Sequence, residues 1–134
     1  MSLSRVGVLV ASLLMALPGW AQDGMTRTIL NRADLSGAPG MEVISSILEV
    51  APGATVPRHF HNGIETGSVL EGALIQLPGK EAQLMATGAP IWNLRGVFHG
   101  GFKVVGDKPL KLHTVHVVDK NKPLFDGVEP AVPK

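Results

Sequence analysis

The chain has 134 residues, with Lys+Arg 12 against Asp+Glu 11, five His and no Cys, a length that allows one domain and at most a small appendage. A formal charge of +1 supplies no basic field for nucleic acid, and a hydrophobic share of 45% argues against an intrinsically disordered chain. The absence of Cys removes disulfides, thiolate metal sites, a cysteine nucleophile and a lipid-anchored cysteine.

The first stretch reads as an address. Residues 1–5 carry one positive charge, residues 6–17 form an apolar run interrupted only by Gly7 and Ser12, and Pro18 and Gly19 break it. Gly19 and Ala21 then place small residues three and one before a cut. This is the layout of a secretory signal peptide over residues 1–21. A membrane anchor would need ~20 apolar residues, more than the run contains. Cleavage after Ala21 takes Arg5 with it and leaves the formal charges balanced. The expected location is periplasmic or secreted, so any metal is acquired outside the cytoplasm.

Beyond Gln22 no long segment shows a capped helical stripe; period-two patterns appear instead. Gly 16 and Pro 10 lie well above their usual combined share of roughly 12%, so the chain turns often. Strands are expected at 25–34 and 41–50, separated by Ser36-Gly37-Ala38-Pro39-Gly40, the second ending at Pro52-Gly53. Segments 58–61 and 65–70 flank Asn62-Gly63, a dipeptide favoured where the backbone needs positive φ. Segments 73–77 and 81–85 surround Pro78-Gly79-Lys80, a hairpin signal. Segment 90–94 stops at Arg95-Gly96, and 97–105 turns at Gly106-Asp107-Lys108-Pro109. Segment 110–118, rich in Val, is the clearest strand. Residues 121–134 hold Pro123, Pro130 and Pro133 and are expected to form an extended, partly loose tail. About eight short strands in one domain, 22–134, indicate a small all-β sandwich or barrel.

His59 and His61 are two apart, so on a strand they share a face. Glu65 follows the Asn62-Gly63 turn and can swing back toward both, and His99 lies on a later strand. Imidazoles and a carboxylate that converge make a divalent-metal site. An isolated His-x-His on a surface strand is more often simply solvated.

The surrounding spacing bears on that choice. Gly53, five residues, His59-Phe60-His61, three residues, Glu65, six residues and Gly72 form a pattern that resembles the first motif of the cupin family at every fixed position. Gly88, Gly96 and His99 are similar to the second motif, with Leu94 in place of its proline and Lys103 in place of its asparagine. The resemblance, over residues 41–122, implies a small antiparallel jelly-roll barrel. It implies one divalent transition metal (Mn, Fe, Ni, Cu, Co or Zn) on His59, His61, Glu65 and His99. By strand parity Gly67 and Val69 continue the face of Glu65, while Val97 and Gly101 share that of His99, so these four are expected to line the pocket. Gly67 makes room beside the metal or, alternatively, allows close backbone contact. His113 and His116, three apart, face opposite sides; each is expected to be hydrogen-bonded or exposed, the alternative being that one lines the barrel and contacts a ligand. Trp92 is expected at the core or rim, and Met85 in the core.

The resemblance admits a metal-dependent oxygenase of the quercetin-dioxygenase-like type acting on an enol- or catechol-like substrate, with Glu65 as ligand and proton acceptor. Isomerase or lyase chemistry suits the same metal, and so does a non-catalytic module that binds a small ligand or metal. Expected partners are a small-molecule ligand or substrate and, as an assembly the sequence leaves open, a second copy in a homodimer. No nucleic acid is expected, and no membrane once the leader is removed.

Overall fold

Alternation along two long strands sets the architecture. In Leu110–Asp119, residues Leu110, Leu112, Thr114, His116 and Val118 are buried and their neighbours are not. In Met41–Val50 the buried set is Glu42, Ile44, Ser46, Leu48 and Val50. Each strand therefore turns one face inward and the other toward solvent.

The computed structural model describes residues 21–129; apart from Ala21, the leader read at residues 1–21 lies outside the described residues. Ten strands follow in order: β1 (Ala21–Gln22), β2 (Met25–Asp34), β3 (Met41–Val50), β4 (Thr55–Val56), β5 (Gly63–Glu71), β6 (Ala73–Gln76), β7 (Gln83–Met85), β8 (Pro90–Asn93), β9 (Phe102–Val105) and β10 (Leu110–Asp119). The described residues contain no helix. One sheet has the order β1-β2-β3-β10-β5-β8 and the other β4-β9-β6-β7, with every pair antiparallel. This is the expected all-β jelly roll.

The interior changes character along the strands. Met25, Leu48, Val50, Val56, Val69, Val104, Leu110 and Leu112 belong to one apolar cluster. Further along the same inner faces, Ser46 on β3 pairs in register with Thr114 on β10, and His116 pairs with Glu65 on β5. All four are buried. Apolar burial at one end supplies the driving force for folding, and that leaves the other end free to hold polar groups.

Two expectations need correction. Segments 58–61 and 97–105 are not continuous strands. Pro57 offers no N–H, and Gly100 and Gly101 adopt φ of 75° and 73°, which ends regular pairing. His59 and His99 meet instead through an isolated bridge, with N→O bonds of 3.0 and 2.8 Å. Residues 121–129, the described part of the tail, are tied to the barrel. Phe60 and Asp126 exchange two backbone bonds of 3.0 Å, Glu129 N–H donates to the Arg58 carbonyl, and Asn62 Nδ2 donates to Asp126 Oδ2 at 2.7 Å. The prolines leave enough donors for this segment to pair with residues 58–62.

Candidate metal centre

Three histidines present the same tautomer to one point. His59 Nδ1–H donates to the Pro57 carbonyl at 2.7 Å, His99 Nδ1–H to the Val97 carbonyl at 3.0 Å, and His61 Nδ1–H to the Leu124 carbonyl. A carbonyl only accepts, so in the neutral rings the proton sits on Nδ1 and each Nε2 keeps its lone pair. His59 and His61 are 2% and 0% exposed, while His99 is half-buried and forms the solvent side.

Glu65 completes the group from β5. Its Oε2 lies 3.2 Å from His61 Nε2 and 3.4 Å from His99 Nε2, and the two imidazole nitrogens are 3.0 Å apart. In the neutral tautomers these are three acceptors facing one another with no proton among them. Such a cluster repels itself unless positive charge lies between its members. Two overlapping sets, His59, His61 and His99, then His61, Glu65 and His116, each hold their ligand atoms within 4.8 Å of one another. The donor set of nitrogen and carboxylate oxygen suits a divalent transition metal, so the residues present fit such an ion. The four expected ligands are together.

The electrostatics follow from burial. Burial pushes His59 down to about 4, against smaller opposing help from the Pro57 carbonyl, so it remains a neutral donor at physiological pH. For His99 burial lowers the value, but Glu65 and the Val97 carbonyl outweigh it and the net shift is upward. Burial raises Glu65, and the imidazoles of His116, His61 and His99 more than reverse this, holding it well below the carboxylate range.

Five contributors escaped the sequence reading. His116 is fully buried, with Nε2 3.2 Å from Glu65 Oε1, yet neither ring nitrogen has a hydrogen-bond partner. It was expected to be hydrogen-bonded or exposed. Its parity with Leu112 and Val118 was the signal that could have placed it inside. Asn93 on β8, opposite Glu65 in register, donates to Oε2 at 2.7 Å. Leu124 and Phe125 reach the site from the tail, and Arg27 reaches it from β2. No sequence motif announces these three.

A cavity of about 340 Å³ opens on the centre and is lined by His59, Glu65 and His99 among others. Val69 lines it as expected, but Gly67, Val97 and Gly101 do not. A Cβ on Gly67 would fall 2.0 Å from the His113 carbonyl oxygen, so that glycine permits close approach to β10 and makes no room beside the metal. A Cβ on Gly101 would meet Arg58, and Val97 is 53% exposed. Loss of strand geometry around His99 breaks the parity that placed them inside. Trp92 stands at the rim, 64% exposed. Met85 packs against the apolar cluster.

No family profile and no curated protein matches this sequence. Among solved structures the chain is similar to the polyketide cyclase RemF from Streptomyces resistomycificus, with 23% identity, 81% of this chain and 74% of that one covered, and a TM-score of 0.58. It is similar to a conserved protein with a double-stranded β-helix domain from Klebsiella pneumoniae, with 15% identity, coverage of 79% and 88%, and a TM-score of 0.57. It is similar also to a protein with a cupin-like fold from Ralstonia eutropha JMP134, with 21% identity, coverage of 71% and 60%, and a TM-score of 0.53. Likenesses at these identities establish the fold.

Proposed function

We propose that this chain of cupin fold holds one divalent transition metal on the Nε2 atoms of His59, His61 and His99 and the carboxylate of Glu65, and works as an oxygenase on a small enol- or catechol-like chelating substrate. The observation that carries the metal site is the cluster of three Nε2 lone pairs, each fixed by an Nδ1–H bond to a backbone carbonyl, around one buried carboxylate. The fold also carries enzymes, a polyketide cyclase among them.

When bound, the metal supplies Lewis acidity toward an oxygen donor and the ordering or redox chemistry of an oxygenase. The chain's own residues do the rest. Asn93 holds Glu65 Oε2 while Oε1 faces His116, so the carboxylate is oriented before substrate arrives. Glu65 would take the hydroxyl proton of the substrate only on leaving the metal, since its neighbours hold the carboxylate ionised. Val69, Phe102 and Phe125 line the cavity and limit its water, and Trp92 at the rim offers a planar face to an incoming ring. The layout of residues 1–21 supports export to the periplasm or beyond.

The test is loading with each candidate metal in turn, followed by oxygen uptake with a flavonol and with catechol. Uptake that needs the metal and disappears in His99→Ala supports the oxygenase. Stoichiometric metal and ligand binding with no turnover of either compound would instead identify a non-catalytic module.

A further inference from the structure

Arg27 is the one Arg or Lys side chain lining the cavity among the described residues. Its Nη1 donates to Ser46 Oγ at 2.7 Å and to Thr114 Oγ1 at 3.1 Å, and those two hydroxyls lie 3.0 Å apart, both fully buried. Neither partner carries charge. No carboxylate among the described residues lies within ion-pair distance of Arg27. Its Nη2 is buried and has no hydrogen-bond partner. A guanidinium is built for two-point pairing with a carboxylate, and here half of the fork is spent on hydroxyls that fix its position.

The metal centre is close by. The guanidinium carbon stands 5.3 Å from the centre of the Phe125 ring, and the same ring stacks on His59. Among the described residues Glu65 is the only carboxylate lining the cavity. A divalent ion and Arg27 against Glu65 would leave two positive charges in excess in a cavity whose other walls are largely apolar, which favours an anionic occupant. Burial lowers the Arg27 pKa, with Glu65 opposing the effect only in part, so the resident carboxylate does not compensate the buried cation.

We infer that Arg27 selects the substrate: an anion that turns its chelating oxygens to the metal and pairs a carboxylate with the guanidinium of Arg27. This rests on the metal reading above and adds the charge of the substrate to it. A cavity of about 340 Å³ takes a molecule the size of a substituted single ring.

The probes are protocatechuate, which couples a catechol to a carboxylate, and its methyl ester, which removes only the charge. Zinc-loaded protein keeps both from being turned over, and calorimetry reads their affinities. The wild type is expected to bind the acid about 10-fold or more tightly than the ester. Arg27→Gln keeps a donor for Ser46 and Thr114 and is expected to bring the acid down to the affinity of the ester, leaving the ester unchanged. Arg27→Lys retains the charge without the fork and is expected to keep only part of the preference; it carries the comparison if Arg27→Gln does not fold. Equal affinity for acid and ester in the wild type, no affinity for either, or an undiminished preference in Arg27→Gln overturns the inference. Failure to take up one equivalent of zinc would overturn the metal reading itself, so the two failures are distinct.

Discussion

Phe125 lies flat against His59, with ring centroids 3.8 Å apart and planes within 17°. The next residue back, Leu124, accepts the Nδ1–H of His61. Residues far from both histidines in sequence therefore orient them, and groups that orient metal ligands commonly account for 10–100-fold in affinity. Phe125→Ala should weaken metal binding by about 10-fold or more, with Phe125→Leu intermediate. Competition against a chromophoric chelator measures it, and an unchanged affinity would reduce the segment to a passive cover.

His99→Ala should remove most bound metal, whereas His113→Ala should not. His113 sits on the outward parity of β10, where its Nε2 meets Ser45 Oγ at 3.0 Å. Elemental analysis of the two variants decides, and equal loss in both contradicts the ligand assignment. Stripping the metal should also lower the melting temperature, since free metal at 100 times its Kd stabilises the folded state by about 2.7 kcal/mol.

Gly67→Ala should be destabilising by about 3 kcal/mol or more, because its Cβ would fall 2.0 Å from the His113 carbonyl oxygen and 3.1 Å from Thr114 Cα. Denaturant unfolding gives the value. A near-neutral substitution would mean that β5 and β10 can part without cost.

Acid should destabilise the metal-free protein. His59 moves from 6.5 to about 4 on folding, so between those values the unfolded chain binds a proton that the folded chain refuses. Its contribution is complete above pH 6.5 and is lost as the pH falls toward 4. Burial displaces His116 in the same direction. His99, raised on balance, contributes below pH 6.5 and loses that contribution as the pH rises through its folded value. The unfolding free energy from urea titrations should therefore fall between pH 6.5 and 4, by up to about 3 kcal/mol from His59. His59→Asn should flatten that limb.

Protein isolated from its own cell should begin at or within a few residues of Gln22, as intact mass will show. A chain that starts at Met1 in the cytoplasm would refute export and return residues 6–17 to the fold.

Local pattern was enough for much of this protein. The period-two stretches at 25–34 and 41–50 are strands over those same residues, because alternation and turn residues act within a few positions of one another. The spacing of His59, His61, Glu65 and His99 likewise marked four side chains that do converge. Parity then misled wherever the strand itself was interrupted. Val97 and Gly101 share the parity of His99 only on paper, since Gly100 and Gly101 take the backbone into positive φ. The inward parity of His116 was legible but its partner was not, and Asn93, Phe125 and Arg27 were invisible for a different reason. Each reaches the centre through strand order and register: β10 beside β5, β8 on its other side, β2 beyond β3, and the tail bridged to Phe60. Long-range pairing decides those neighbours, and no spacing along one chain encodes them. The sequence by itself determined which atoms can serve as ligands; the tertiary structure decided what holds them, and that an unpaired cation shares their cavity.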